Sequence, residues 1–397
     1  MCEQAGGPSF RPAIDTDRFF DWASTAPNSS ACLAAMSEFA DAAASHHCPP
    51  DFLTASTDAL SALRDRIRTV FGAEPDVDVA LVRSVAEASS VLARALVLPP
   101  GSSVVVSAAD HPALVAPWCW LTGVRPDIDL RTIACTGSGV LDLDHAVRLI
   151  DSTTAVVACS HLTHLDGVLQ PVEELTALTR HRSGALVIID GAQSAGRVPV
   201  RFDALGADVF LASARKALLG PLGTGFVLMR SRVRHTVRPV VFSSRNALAG
   251  VRHDGSWRPG LRCRSGAAVF EGNLPDLRAL SGLSASLRAY QEAGPDQMAG
   301  ECRARAESLA SLAGQAGYRS LRRPPGGLTG ITRLSSPRVA DHRRIKADLA
   351  SRGFAVAADR EWLRISVHAF STEEGIAALC DHMSAYGTPP SIRARTA

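Results

Sequence analysis

Two short apolar runs constrain this chain more than anything else in it, because each stops abruptly at ionisable groups. Val187-Ile188-Ile189 ends in Asp190 and continues as Gly191-Ala192-Gln193, while Val209-Phe210-Leu211-Ala212 ends in Ser213-Ala214-Arg215-Lys216. Runs this short and this apolar read as strands buried on both faces, which is how a parallel sheet covered by helices is written. Such sheets hold ligands at the carboxyl ends of their strands, so one edge receives both an acid and an amine. Fixed there, the pair suits opposite ends of a pyridoxal phosphate ring. Asp190 would keep the ring nitrogen protonated and Lys216 would bond the aldehyde.

The amine has no rival. Of 42 basic residues only Lys216 and Lys346 are lysines, and bonding an aldehyde needs a group that can lose its proton, which arginine does not. Lys346 sits in an amphipathic helical pattern over 342–349 and faces water. Ser213 and Arg215 offer a hydroxyl and a cationic fork to a phosphate. A solvated helix end is the plain alternative, but it leaves the lysine and the glycine-bounded apolar run 217–225 unexplained. Those glycines fail as a dinucleotide fingerprint, since they precede a strand and not a helix.

Around these runs, strand patterns at 79–82, 104–107, 128–133, 155–160, 185–190, 207–212 and 225–229 alternate with helical ones at 86–97, 112–121, 143–150 and 172–181. This rhythm predicts an α/β fold with a mostly parallel seven-stranded sheet, the last strand antiparallel at its edge. A strand and turn at 19–27 and a helix at 59–71 come first. Residues 232–264, rich in Arg, Ser and Gly, read as an irregular segment facing the substrate. Helices at 277–293 and 296–314 lead into an α+β tail, with strands at 330–334, 355–357 and 363–366, a helix around Lys346 and another from 372. The domain expectation is a segment 1–45 packing on a small domain, a large domain 46–275, and the small domain 276–397.

A net charge of +3 gives no reason to expect nucleic acid or an acidic membrane as partner. No apolar run is long enough to span a bilayer and the first residues do not resemble a signal peptide, so the expected location is the cytoplasm. Nine cysteines, an odd number with no CxxC, argue against a disulfide framework or a metal site. Three further candidates each have a bland reading. Val85 and Ala86 follow a strand and open a helix, where free N–H groups suit a phosphate, or form an ordinary junction. His111, in Ala109-Asp110-His111-Pro112, can stack on a ring or be a loop residue. Arg364, between Leu363 and Ile365, can grip an α-carboxylate or sit in a core ion pair.

Together and in this order, these residues resemble the class V aminotransferase family of fold-type I pyridoxal phosphate enzymes. That family includes cysteine desulfurases, isopenicillin N epimerase-like proteins, kynureninases and carbon–sulfur lyases. The likeness runs from about residue 20 to 383. It is most specific over 187–226, where Asp-Gly-Ala-Gln, Ala-Leu-Gly-Ala-Asp and Ser-x-x-Lys-x-x-x-Gly-Pro-x-Gly-x-Gly stand in family spacing. The resemblance implies that Lys216 bonds the cofactor, Asp190 partners the ring nitrogen and Gln193 the phenolic oxygen. Ser213, Arg215, Val85 and Ala86 fall on phosphate positions, His111 on the stacking position and Arg364 on the carboxylate clamp. A homodimer with active sites at the interface is implied as well.

The departures carry information. Arg215 replaces a common histidine, and Val85-Ala86 lacks the usual threonine hydroxyl. His164 replaces a common asparagine near the ring and is a candidate second acid or base. In Phe270-Glu271-Gly272-Asn273-Leu274-Pro275 the threonine that reaches a partner's phosphate is missing, and Asn273 is its substitute. Desulfurases carry a nucleophilic cysteine on a loop before the clamp arginine; here 354–363 is short and has none. The expectation is therefore a pyridoxal phosphate-dependent C–S β-lyase that acts on an S-substituted cysteine and releases a thiol, in specialised metabolism. The alternatives are an aminotransferase, an epimerase, a decarboxylating or oxidative deaminating enzyme, or a non-catalytic cofactor-binding regulator, for which no DNA-binding extension is visible.

Overall fold

A computed structural model describes residues 10–45, 50–242, 247–251, 257–263, 265–272, 275–322 and 326–387. Helices α1 (Ser30–Ser45) and α2 (Pro50–Val70) lead into β1 (Asp78–Val82), α3 (Val85–Ala95), β2 (Ser103–Ser107), α4 (Pro112–Val124), β3 (Asp129–Ile133) and α5 (Leu143–Leu149). Then come β4 (Thr154–Ser160), α6 (Val172–Arg182), β5 (Leu186–Asp190), α7 (Phe202–Leu205), β6 (Val209–Ser213) and β7 (Gly225–Met229). Strand side chains alternate between faces, and both faces here are apolar. Val105, Val157, Val187, Ile189, Phe210 and Leu228 join one core; Val104, Val156, Ile188, Leu211 and Val227 join a second core on the other face. Such a strand must lie inside a covered sheet.

The sheet order is β1-β7-β6-β5-β4-β2-β3. Strands β2 to β6 pair in parallel, while β7 is antiparallel to β6. The expectation that β7 forms the edge is corrected: β1 pairs with its other side, antiparallel, and is itself the edge. An edge strand leaves N–H groups unpaired, and here the Glu271 carboxylate accepts from the Leu81 N–H at 2.9 Å while bridging to Arg64 at 2.9 Å. Antiparallel to β7, β1 points the same way as β6. Its end therefore lies at the carboxyl edge, with Val82 opposite Gly225 and Gly225 opposite Ser213.

The expected irregular stretch 232–264 is also corrected. It holds a 3₁₀ turn at Ser231–His235 and an antiparallel hairpin of β8 (Ala247–Val251) and β9 (Trp257–Cys263). Arg258 and Arg262, with Pro259 and Gly260 between them, break the alternation that would announce a strand. Beyond it run α8 (Leu277–Ala293), α9 (Pro295–Gln315), β10 (Arg319–Ser320), β11 (Ile331–Ser335), α10 (His342–Ser351), β12 (Ala357–Ala358), β13 (Leu363–Ser366) and α11 (Glu373–Gly387). The four strands form a small antiparallel sheet, β10-β11-β13-β12, over its own core of Leu309, Leu334, Ile345, Leu363, Ile365 and Leu379. Leu280, Leu283 and Leu287 of α8 lie in the larger core. Helix α1 lies against α8 so closely that a Cβ on Gly282 would meet the Met36 side chain at 2.7 Å.

Residues 18–29 link the two sheets as a strap. Phe20 N–H donates to Ala355 O at 2.9 Å and Ser366 N–H to Phe20 O at 2.8 Å, beside β13. Farther along, Ala26 N–H donates to Arg215 O at 2.8 Å and Ser29 N–H to Leu219 O at 2.9 Å.

Candidate active site

Strand register assembles one half of the site. Ser160 lies beside Asp190, and Asp190 beside Leu211, at the carboxyl edge. Asp190 is buried, and its Oδ1 accepts from Ala192 N–H at 2.8 Å. Burial holds its carboxyl above the usual range while Lys216 pulls it back down. The turn after Asp190 fits only because of its glycines: a Cβ on Gly191 would meet the Phe210 ring at 1.9 Å, and one on Gly196 the Ala217 backbone at 2.6 Å. Lys216 occupies a tight turn in which Leu219 N–H donates to Lys216 O at 2.9 Å and Gly220 N–H to Ala214 O at 2.9 Å. Leu219 closes it at φ 53°, a left-handed conformation that costs a residue with a Cβ roughly 1 kcal/mol.

Burial lowers the Lys216 amine to about 8, against the opposing pull of Asp190. The two charges sense each other, yet they form no ion pair, and the amine has no hydrogen-bond partner among the described residues. A buried ion left unpaired is expensive, so the gap between them fits a group with something to offer at each end. At the same edge Ser84 caps α3 through Glu87 N–H at 3.1 Å. That leaves the N–H groups of Val85 and Ala86, like the Ser213 hydroxyl, without an acceptor among the described residues. These are the donors a phosphate would take.

Two imidazoles stand beside the lysine. His111 caps α4, its Nδ1 accepting from Ala113 N–H at 3.0 Å, so its proton sits on Nε2. Its ring meets His164 edge-on, centroids 4.7 Å apart at 78°. Burial first, then Lys216 and Arg215, lowers His111; burial, reinforced by His111, pushes His164 down to about 3. His164 Nδ1 is buried without a hydrogen-bond partner.

The other predicted residues among those described are already engaged. Arg364 donates from Nη1 to His164 O and from Nη2 to Asp21 Oδ1, each at 3.0 Å, and from Nη2 to Ser24 Oγ. Gln193 Nε2 donates to Ala23 O at 2.8 Å, leaving its Oε1 buried and unpartnered. Arg215 Nη1 donates to Ser24 O. Asn273 lies outside the described residues.

Three groups were missed. Asp110 ties strand ends together, its Oδ1 accepting from Ser160 N–H at 2.7 Å and Oδ2 from Ser107 N–H at 3.0 Å; burial pushes it up to about 7. Its place just before His111, where a strand turns into a helix, was the available signal. Asp21 partners Arg364 from 343 residues away, and nothing local announces that. Arg197 is buried and donates to Val367 O at 2.6 Å without a carboxylate among the described residues; no sequence signal marks it.

A family model described as aminotransferase class-V matches residues 18–379, spanning every element that builds this edge. The chain belongs to the class-V aminotransferase family. It is 31% identical over 352 residues to a probable cysteine desulfurase of Pseudomonas aeruginosa, covering 86% of this chain and 83% of that protein. It is 28% identical to a probable cysteine desulfurase of Methanothermobacter thermautotrophicus over 70% of this chain and 67% of that protein. A solved complex of the cystine C–S lyase C-DES with its product, cysteine persulfide, superposes with a TM-score of 0.84 at 19% identity. The match covers 94% of this chain and 98% of that one, and shows a common fold. As a class-V enzyme the protein depends on pyridoxal phosphate. The donor set fits that cofactor: an unpaired amine, a buried carboxylate and free N–H groups meet at one edge.

Among the described residues no helix is long and apolar enough to cross a membrane, and no three His, Cys, Asp or Glu cluster as a metal site.

Proposed function

We propose that this enzyme cleaves the C–S bond of an S-substituted cysteine by β-elimination and releases the sulfur as a free thiol. The observation that carries this reading is the connection before Arg364. Ala358 pairs with Leu363, and Asp359 N–H donates to Trp362 O at 2.9 Å. That turn, Asp359-Arg360-Glu361-Trp362, has no sulfur to accept a persulfide. The names of its relatives support a second reading, desulfuration of cysteine to alanine.

Lys216 and Asp190 would hold the cofactor ring, Gln193 its phenolic oxygen, and Ser213, Arg215, Val85 and Ala86 its phosphate. Pyridoxal phosphate supplies a sink for the electrons left at Cα. Arg364 binds the substrate carboxylate. Lys216, with its amine near neutrality, takes the Cα proton at Nζ. His111 would stack on the ring, and the proton taken up at Lys216 Nζ would pass to the departing sulfur, with His164, a neutral imidazole with a free Nδ1, as a hydrogen-bond partner beside it. The sulfur leaves with the bonding electrons and takes up a proton, while water converts the remaining three-carbon unit to pyruvate and ammonia.

Incubation with S-methyl-L-cysteine, L-cystine and L-cysteine tests this. Pyruvate, ammonia and thiol or persulfide in equal amounts support elimination. Alanine as the three-carbon product sinks it in favour of desulfuration, and no thiol from any conjugate removes it. We also infer a homodimer. Leu222 and Phe242 are 70% and 56% exposed on a cleft of about 770 Å³ beside the start of α3, an apolar surface suited to a second copy. Sedimentation at the monomer mass would refute it.

A further inference from the structure

A guanidinium can take a carboxylate through two parallel hydrogen bonds on either of two faces, Nε with Nη2 or Nη1 with Nη2. Nη2 belongs to both. In Arg364 its two protons go to Asp21 Oδ1 at 3.0 Å and to Ser24 Oγ, so neither face is open. Nη1 donates to His164 O, while Nε is buried with no acceptor. An unsatisfied buried donor disfavours this arrangement, and an incoming carboxylate that took Nε and Nη2 together would relieve it. Asp21 has somewhere to go. Its side chain is 24% exposed, and Ser24 Oγ donates to its Oδ1 at 2.9 Å. Its backbone need not move, being bridged to Ser366 and held by Ala23 N–H on Ser366 Oγ at 2.9 Å.

We propose that Asp21 is an internal carboxylate that occupies Arg364 until a substrate carboxylate displaces it, and so weakens the binding of every amino acid by a fixed factor. Amines without a carboxylate cannot open the pair and gain nothing from its removal. The proposal rests on Arg364 being the carboxylate clamp, so the experiment separates the two. L-alanine and ethylamine, alike except for the carboxylate, are titrated into the holoenzyme and their Kd values read from the cofactor's absorbance. Asp21→Asn, and Asp21→Ser as a second charge-free variant, should bind alanine about three- to tenfold more tightly, the range of one partly exposed charge-assisted pair. Ethylamine should stay within about twofold.

Arg364→Ala should reduce alanine to the affinity of ethylamine. Alanine unaffected by Arg364→Ala would overturn the clamp and the proposal with it. Alanine lost in Arg364→Ala but unchanged or weaker in both Asp21 variants would leave the clamp standing and overturn the exchange, making Asp21 a mere support.

Discussion

At the carboxyl edge of the large sheet the Lys216 amine, the Ser213 hydroxyl and the N–H groups of Val85 and Ala86 have no partner among the described residues. In the same site Arg364, Gln193 and Arg215 each bond to a residue of the strap between Asp21 and Ser24. The first set is placed by strand register and by turns too tight to relax, so its valences stay open. The second set lies within reach of the strap, whose backbone and side chains supply its partners. A site built this way has one half organised in advance and one half that must exchange old bonds for new ones when a substrate arrives.

The sharpest way to break this contrast is on the open half. Lys216→Ala should cut turnover by at least about 10³-fold, and borohydride, which fixes the cofactor to the wild-type lysine, should leave no label on the variant. Retained label would place the covalent bond elsewhere. Asp190→Asn keeps the shape and an acceptor for Ala192 N–H but loses the charge. We expect turnover to drop roughly 10²-fold or more while the cofactor-free protein melts no lower, because the burial of a charged carboxyl is removed. A lower melting temperature with normal turnover would make Asp190 structural.

Asp110→Asn tests the frame behind that half. An amide offers one acceptor where Ser160 N–H and Ser107 N–H need two, so unfolding should become easier by about 1–3 kcal/mol, read from denaturant titration. An unchanged midpoint would mean that Asp110 does not brace the edge.

The last test is on pH. His161, His164 and His368 are kept neutral by burial, at about 4, 3 and 3. Their folded values lie below the ordinary 6.5, so the stability they contribute is complete above that pH and is lost as pH falls toward 4 and 3. Asp110, raised from 3.8 to about 7, works in the opposite sense: its contribution is present below about pH 4 and lost as pH rises through 7. Three groups outweigh one, and the cofactor-free protein should melt at progressively lower temperature below pH 6.5. A flat profile from pH 7 to 5 would contradict the burial of these rings.

Much of the open half was legible in the sequence, because short apolar runs ending in Asp190 and Ser213 leave few ways to fold. The strand order was not. Whether β7 or β1 is the edge depends on pairing between residues far apart, and Val79 to Val82 look alike in either place. Helix α1, Ala- and Ser-rich, has too weak an apolar stripe to be recognised without α8 against it. The occupied half was hidden for the same reason: Asp21 looks like any acid in a turn until Arg364 is folded against it.

The strap has a mechanical consequence. Because it is stitched to β13 at one end and to the lysine turn at the other, the small sheet cannot swing outward without tugging the backbone that carries Asp21 and Ser24. Asp21 rides with Arg364 on the small sheet, so such a swing would strain the Ala26 and Ser29 bonds to the lysine turn and leave the Arg364 pair intact, and a cross-link that immobilised residues 18–29 should arrest it.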